Sequence, residues 1–184
     1  MARWAAPELI ASALTGDEGA VEQLVAVVWP GCFRLAATIL GDWNLAQDAA
    51  QEACVIVHRK IRNLRRADAF DAWLYRIVMH ESNRVRRRNE VSEQPISEGR
   101  YGSDGSTTLD VWRALADLSP ELRDVTVLFY FDDLKTADIA AILGLPHPTV
   151  RTRLARARDR LRIILKGYQN GSQPERQEIE PHAL

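Results

Sequence analysis

The amino-acid sequence predicts an all-α protein made of two small helical domains joined by a flexible linker. Apolar residues recur at spacings of three and four over most of the 184 residues, as in helices with one buried face. No stretch shows the apolar-polar alternation of a half-buried strand. Residues 89–107 contain only three apolar residues, too few to offset the entropy of ordering them. Because each domain can bury only a modest core, a large multi-domain enzyme is excluded.

The first domain, residues 1–88, is predicted to contain three helices. Helical periodicity covers 17–40, 45–61 and 69–88, with a turn at 41–44 between the first two. Pro30 is expected to kink the first helix, and Asp68 is expected to cap the third. Apolar residues that define the three inner faces include Val21, Leu24, Val28, Leu35, Ile39, Ala49, Ala53, Ile56, Val57, Phe70, Leu74, Ile77 and Val78.

The second domain, residues 108–168, is predicted to contain four helices, at 109–118, 120–131, 136–143 and 148–165. Residues 169–184 are polar and contain proline, so they are expected to form a disordered tail.

The charge of the chain is unevenly distributed. The formal net charge is −1, but residues 59–88 carry ten Lys or Arg against three Asp or Glu. Residues 147–168 carry seven against one, and the rest of the chain holds a net charge of −14. Two basic blocks on an otherwise acidic chain indicate a nucleic-acid-binding protein with a second, differently charged surface.

The second basic block begins in a helix-turn-helix pattern. A short alanine-rich helix is followed by Gly144, where the chain must reverse, and by a helix that opens at Pro148 and Thr149. Ala140 is small enough for the two helices to cross closely. The buried stripe of the second helix leaves its arginines exposed, and its first turn could enter a major groove. A solvated arginine-rich helix is the alternative, but it does not explain the turn.

The first basic block interleaves arginines with Phe70, Trp73 and Tyr75, a combination that suits the binding of unpaired bases. The spacing of Phe70 and Trp73 also fits a hydrophobic core. Residues 63–68, where the periodicity breaks down, are therefore the better place for a base pocket.

An acidic face formed by Asp48, Gln51 and Glu52 is predicted on the second helix. Like charges four residues apart repel each other on an isolated helix, so a basic partner would explain the pair. The alternative is a solvated face near the start of a helix.

No catalytic, cofactor or metal motif is present in the sequence. Phosphate-binding, dinucleotide-binding, zinc-protease and nucleophile-elbow patterns are absent, and the four histidines are scattered. Cys32 and Cys54 lie too far apart for a zinc knuckle and are expected to be reduced core thiols. Asp132 and Asp133 are interpreted as a turn. The N-terminus lacks a signal pattern, so we expect a cytoplasmic protein without membrane insertion of its own.

Three segments together resemble bacterial extracytoplasmic-function sigma factors of the sigma-70 family. Residues 46–52, AQDAAQE, are similar to a segment that docks on the β′ clamp helices of RNA polymerase. Residues 70–77, FDAWLYRI, are similar to the segment that melts the promoter and binds the minus-ten element. Residues 118–125, LSPELRDV, precede the helix-turn-helix and resemble the domain that binds the minus-thirty-five element.

The resemblance implies a σ2-like bundle of three to four helices and a σ4-like domain of four helices. The expected partners are core RNA polymerase, through its β′ clamp helices and β subunit, promoter DNA and an anti-sigma factor. No cofactor, metal or catalytic residue is expected. Polymerase binding is assigned to Asp48, Gln51 and Glu52. The residues assigned to the minus-ten element are Asn63, Arg65, Arg66, Trp73, Arg76, His80, Asn83, Arg84 and Arg87. Those assigned to the minus-thirty-five element are His147, Thr149, Arg151, Thr152, Arg153, Arg156 and Arg158.

The sequence departs from the family pattern at several positions. Cys54 and Val57 stand where aromatic residues are common, and His80 replaces a frequent asparagine near the minus-ten strand. Phe129 and Thr136 also differ, at positions expected in the scaffold of the second domain rather than at its DNA tip.

A helix-turn-helix regulator that is not a polymerase subunit is the alternative function. It requires only the second domain and leaves the acidic face and the first basic block unexplained. Binding to core polymerase separates the two hypotheses.

Overall fold

A computed structural model describes residues 4–91 and 106–169, which in these two ranges form eight α-helices and no strand. In chain order the helices are α1 (Pro7–Leu14), α2 (Glu18–Leu40), α3 (Trp43–Lys60), α4 (Phe70–Val91), α5 (Ser106–Ala116), α6 (Pro120–Tyr130), α7 (Thr136–Leu143) and α8 (His147–Gln169). Two short 3-10 turns, Ile61–Asn63 and Ala67–Ala69, connect α3 to α4. The all-α prediction is confirmed.

The first domain is a four-helix bundle in which α2 packs along α3 and both pack on α4. Helix α1 covers one end of the bundle and is absent from the three-helix prediction. The Asp17 carboxylate accepts a hydrogen bond from the Ala20 amide and begins α2, while Asp42 does the same for α3 through Leu45. Because Asp42 caps it, α3 starts at Trp43, two residues before the predicted position. Helix α2 continues through Pro30.

Helix α2 is long and apolar enough, by length and composition, to cross a membrane, with a mean hydropathy of 1.5 in its most apolar window. Its apolar side chains are used inside the bundle. Leu24, Val28, Ala36 and Ile39 are completely buried against the neighbouring helices. The helix is therefore the central core helix of the first domain.

Cys32 on α2 and Cys54 on α3 are buried free thiols, as the sequence analysis predicts. The adjoining Cys54 thiol and burial both raise the pKa of Cys32, so this side chain remains a neutral thiol within the core.

The second domain lies directly against the first. Leu128 on α6, Ile139 and Ile142 on α7 belong to the same hydrophobic core as the first domain. A smaller core between α5 and α8 contains Ala114, Leu115, Leu118, Ala157 and Ile164. The sequence predicts two domains joined by a flexible linker. In the structure they share a core because α6 and α7 present apolar residues to the first domain as well as to α8.

Polar contacts accompany this shared core. The Arg123 guanidinium donates to the Ile39 carbonyl at the end of α2, with 3.1 Å between the two atoms. Arg76 on α4 donates to the Ala141 carbonyl on α7 at 3.2 Å. Arg86 on α4 lies 3.9 Å from the Asp124 carboxylate on α6. We call the part of α2 and α4 that faces the second domain the interdomain face.

Helical structure extends into both ends of the predicted linker 89–107. Helix α4 runs to Val91 and α5 begins at Ser106, and residues 92–105 lie outside the described residues. Helix α8 continues to Gln169, the first residue of the predicted tail, and residues 170–184 also lie outside the described residues.

Candidate nucleic-acid and partner interface

The acidic face predicted on α3 is present and exposed. Asp48, Gln51 and Glu52 all project into solvent, while the alanines between them are buried against the bundle. Because alanine side chains are small, α3 packs close to the neighbouring helices. The polar residues between the alanines form one stripe that is exposed to solvent. The structure therefore brings the three residues together as the sequence predicts.

Glu52 is linked to the neighbouring basic helix. Its carboxylate lies 3.4 Å from the Arg84 guanidinium, which also contacts Glu81 at 2.6 Å. The Glu81 side chain is only 5% exposed, so it depends on Arg84 and on His80, at 3.0 Å, for its polar partners. Arg84 is assigned to DNA by the sequence, but here it joins the acidic face to a buried carboxylate.

The segment between α3 and α4 is exposed, as expected for a base pocket. Asn63, Arg65 and Arg66 all face solvent around the two 3-10 turns. The Arg66 guanidinium donates to Asp68 at 3.0 Å and holds the pKa of that carboxyl below its usual range. Asp68 lies within the second 3-10 turn and pairs with Arg66, which differs from its predicted role as a cap.

The aromatic residues of α4 belong largely to the core. Phe70 is completely buried, and Trp73 is half-buried with its ring 6.0 Å from that of Phe70. The burial of the two rings agrees with the prediction, made from their spacing, that they belong to the hydrophobic core. The half-buried edge of Trp73 is the part of the pair that a DNA base could reach.

The remaining α4 residues assigned to the minus-ten element have different surroundings. His80 and Arg87 are exposed. Asn83 is half-buried and accepts a hydrogen bond from Arg86, and Arg76 is bound to α7 across the interdomain face. Six of the assigned side chains outside the interdomain contacts are therefore exposed: Asn63, Arg65, Arg66, His80, Arg84 and Arg87. The partners of Arg66 and Arg84 belong to the first domain.

The helix-turn-helix has the predicted geometry. Gly144 ends α7 with a φ of +65°, and the Leu145 amide donates to the Ala140 carbonyl at 3.0 Å. Gly144 thus has the left-handed backbone conformation for which glycine is favoured at a helix C-terminus. Ala140 is buried.

The recognition helix α8 presents a cationic outer surface. Its inner face consists of Val150, Leu154, Ala157 and Ile164, all buried. Among the residues assigned to the minus-thirty-five element, His147, Arg151, Thr152, Arg156 and Arg158 are exposed, and Thr149 and Arg153 are half-buried. The first turn and the following arginines thus lie on a surface that DNA can reach.

One departure from the family pattern contacts a residue assigned to the minus-thirty-five element. The Thr136 hydroxyl on α7 lies 2.7 Å from His147 Nε2 at the start of α8. An open groove of about 700 Å³ beside it is lined by residues that include Phe129, Tyr130, Arg151 and Arg158. Phe129 and Thr136 therefore lie beside residues assigned to the minus-thirty-five element, and their expected place in the scaffold rather than at the DNA tip stays a prediction. The 3.6-residue pattern alone could not identify this contact, because it joins two helices.

Within the described ranges, no group of three or more His, Cys, Asp or Glu residues could hold a metal ion. Asp133 adopts a φ of 51° in the turn after α6, in agreement with the turn interpretation. Its neighbour Asp132 has a role that the sequence did not indicate. Burial raises the pKa of its carboxyl above the usual value, and Arg34 and Tyr75 of the first domain oppose this shift.

Comparisons with known proteins match both domains. The model of Sigma-70 region 2 matches residues 24–91, and that of Sigma-70, region 4 matches residues 108–161. The ECF RNA polymerase sigma factor SigM of Mycobacterium tuberculosis is 34% identical over 168 residues, which cover 89% of this chain and 85% of SigM.

Solved structures show the same arrangement of helices. CnrH in complex with the cytosolic domain of CnrY superposes with a TM-score of 0.67 at 25% identity, covering 88% of this chain and 97% of CnrH. The sigma factor RpoE of Bartonella quintana, in complex with the anti-sigma factor NepR, gives a TM-score of 0.63 at 27% identity and covers 79% and 96% of the two chains.

A helical domain with an acidic face, followed by a helix-turn-helix domain that matches Sigma-70 region 4, defines the class of RNA polymerase sigma factors. The chain belongs to the extracytoplasmic-function group of the sigma-70 family. Its function is that of a sigma factor, which directs RNA polymerase to promoters for transcription initiation. Sigma factors are in general regulatory subunits without catalytic activity.

Proposed function

We propose that the first domain docks on the β′ clamp helices of core polymerase through Asp48, Gln51 and Glu52. The observation that supports this proposal is their common exposed stripe on α3. Two carboxylates one turn apart repel each other, and a basic surface would relieve that repulsion. The bond from Glu52 to Arg84 does not prevent docking, because such half-exposed ion pairs contribute about 0 to 1 kcal/mol and can exchange partners.

Promoter DNA would contact both domains. In the first domain, the exposed residues Asn63, Arg65, His80 and Arg87 and the half-buried Trp73 suit a melted strand, with cations for phosphates and an aromatic edge for a base. On α8, Arg151, Thr152 and the half-buried Arg153 would face the minus-thirty-five bases, while Arg156 and Arg158 would contact phosphates.

An anti-sigma factor is a further proposed partner. CnrH and RpoE, which share this fold, were solved with CnrY and with the anti-sigma factor NepR, respectively. The exposed groove beside α8 and the acidic face are surfaces that such a partner could cover. We also propose that the chain acts in the cytoplasm, where its polymerase is, and that it performs no covalent chemistry.

The docking proposal is tested with purified core polymerase. In the double variant Asp48→Arg with Glu52→Arg, we expect loss of co-elution with core enzyme and loss of promoter-specific transcription. The matched control is Glu8→Arg with Glu22→Arg, which makes the same charge change at two exposed positions on α1 and α2. Transcription that survives the first double variant, or that is lost equally in the control, contradicts the assignment of the acidic face.

A further inference from the structure

One side-chain hydrogen bond joins the two helices of the helix-turn-helix beside the predicted DNA surface. The hydroxyl of Thr136, the first residue of α7, lies 2.7 Å from Nε2 of His147, the first residue of α8. The Thr149 amide donates to the Pro146 carbonyl at 2.9 Å, so the backbone at the start of α8 is held as well. The imidazole is therefore fixed at one of its two nitrogens.

The engaged nitrogen decides which atom of His147 remains for DNA. Because His147 is exposed and Nε2 is bound to Thr136, the ring presents Nδ1 to a ligand. A neutral imidazole carries one proton, and the hydrogen bond at one nitrogen sets whether the other donates or accepts. When the Thr136 hydroxyl donates to Nε2, the proton lies on Nδ1. The ring then offers an N–H donor at the tip of α8.

His147 begins a row of exposed donors along α8. Arg151 follows it by four residues and Arg158 by eleven, so the three side chains project within about 40° of one another around the helix axis. All three line the open groove of about 700 Å³ that Thr136 also lines. In a helix-turn-helix, the first residues of the second helix contact base edges in the major groove. His147 is therefore placed to contact a base.

We propose that Thr136 is a positioning residue that makes His147 specific for a base of the minus-thirty-five element. The Thr136 hydroxyl keeps the proton on Nδ1, and this N–H donates to an acceptor on a major-groove edge: N7 or O6 of guanine, N7 of adenine or O4 of thymine. The inference rests on the proposed function for the DNA contact, but not for the state of the imidazole. Thr136 is a departure from the family pattern, so this recognition belongs to the chain itself.

The state of the imidazole is measured on the free chain. NMR of the isotope-labelled ring nitrogens distinguishes the two tautomers at about pH 8, where a neutral imidazole predominates. We expect Nδ1–H in the wild type and in Thr136→Ser, and loss of this preference in Thr136→Val, which keeps the side-chain shape without the hydroxyl. Thr15→Val is the matched control, because its exposed hydroxyl donates to the Ser12 carbonyl in the first domain. A wild-type ring with its proton on Nε2 overturns the proposal.

Base recognition is measured with holoenzyme on a promoter that the wild type selects from a randomised pool. We expect His147→Ala to weaken binding about fivefold and Thr136→Val about threefold on the intact upstream element, with no change when that element is scrambled. Thr136→Ser and Thr15→Val should bind like the wild type. The double variant Thr136→Val with His147→Ala should bind like His147→Ala alone, because the hydroxyl acts only through the ring.

The dependence on salt separates a neutral base contact from a charged phosphate contact. A neutral donor releases no counterion, so the slope of log affinity against log salt should be the same in the wild type, Thr136→Val and His147→Ala. Circular dichroism shows that each variant is folded. Equal losses on intact and scrambled DNA, additive losses in the double variant, or a slope shallower by about one in His147→Ala overturns the proposal. If the wild-type holoenzyme selects no promoter, the proposed function fails, whereas the NMR result still decides whether Thr136 sets the state of the imidazole.

Discussion

The guanidinium of Arg84 joins the carboxylate of Glu52 to that of Glu81, at 3.4 and 2.6 Å. It thereby connects the face assigned to polymerase on α3 with the helix assigned to promoter DNA. Glu52 is about half-exposed and can exchange partners with solvent, whereas Glu81 is buried. The two contacts of Arg84 therefore differ in their energetic importance, and the buried one should dominate.

Arg84→Ala is expected to lower the free energy of unfolding by about 1 to 3 kcal/mol, because it leaves the buried Glu81 carboxylate short of a charged donor. Urea denaturation monitored by circular dichroism measures this change. Arg87→Ala is the matched control, since Arg87 is exposed on the same helix and should change stability by less than about 0.5 kcal/mol. Equal losses in the two variants would show that the Glu81 contact is not the cause.

Seven of the eight described helices are predicted from the sequence because their apolar residues follow the helical period, whereas α1 is absent from the prediction. Gly144 and the stripe from Val150 to Ile164 define the helix-turn-helix without any tertiary information. The exposed stripe of Asp48, Gln51 and Glu52 follows from helical spacing alone.

Contacts between distant helices could not be predicted in the same way. Arg76 and Arg84 look like free cations in the sequence, but in the structure Arg76 contacts Ala141 on α7 and Arg84 contacts Glu52 on α3. Asp124 and Asp132 look like ordinary surface acids and are interdomain residues. A single sequence carries periodicity within a helix but no signal for which helix faces which.

On the recognition helix, Arg151→Ala should reduce discrimination for the minus-thirty-five element by about 1 to 3 kcal/mol if Arg151 contacts a base. Arg158→Ala should weaken binding to all sequences similarly and flatten the salt dependence, as expected for a phosphate contact. The measurement is holoenzyme binding to promoters with cognate and scrambled upstream elements over a range of salt. Equal loss on both DNAs for Arg151→Ala would make it a phosphate contact.

The free energy of unfolding should depend on pH through Asp124. Burial raises the pKa of this carboxyl above its usual 3.8, while Arg86, Asn83 and Arg123 oppose the shift and Glu121 adds to it. A raised pKa means that the folded state binds the proton more tightly than the unfolded state. Its contribution to stability is therefore complete below about pH 3.8 and is lost as the pH rises through the folded-state pKa.

Asp124→Asn removes this proton linkage. We expect the free energy of unfolding of the wild type, minus that of the variant, to decrease as the pH rises from about 4 to about 7. The difference is the appropriate quantity, because Asp17, Asp68 and Glu121 have lowered pKa values and act in the opposite direction in both proteins. Parallel stability curves over this range would contradict the role assigned to Asp124.

Gly144→Ala tests the turn of the helix-turn-helix, and Gly19→Ala is a control that should change the free energy of unfolding in the opposite direction. Gly144→Ala places a side chain at a φ of +65°, with no neighbouring atom within 4 Å of the new Cβ, so its cost comes from the backbone alone. We expect a loss of about 1 to 2 kcal/mol in the free energy of unfolding. Gly19→Ala lies in the first turn of α2 and should instead give a gain of ~0.5 to 1 kcal/mol, because alanine loses less backbone entropy in a helix. Thermal unfolding of both variants measures the two shifts. A Gly144→Ala protein as stable as the wild type would show that the chain reverses between α7 and α8 without a left-handed residue at this position.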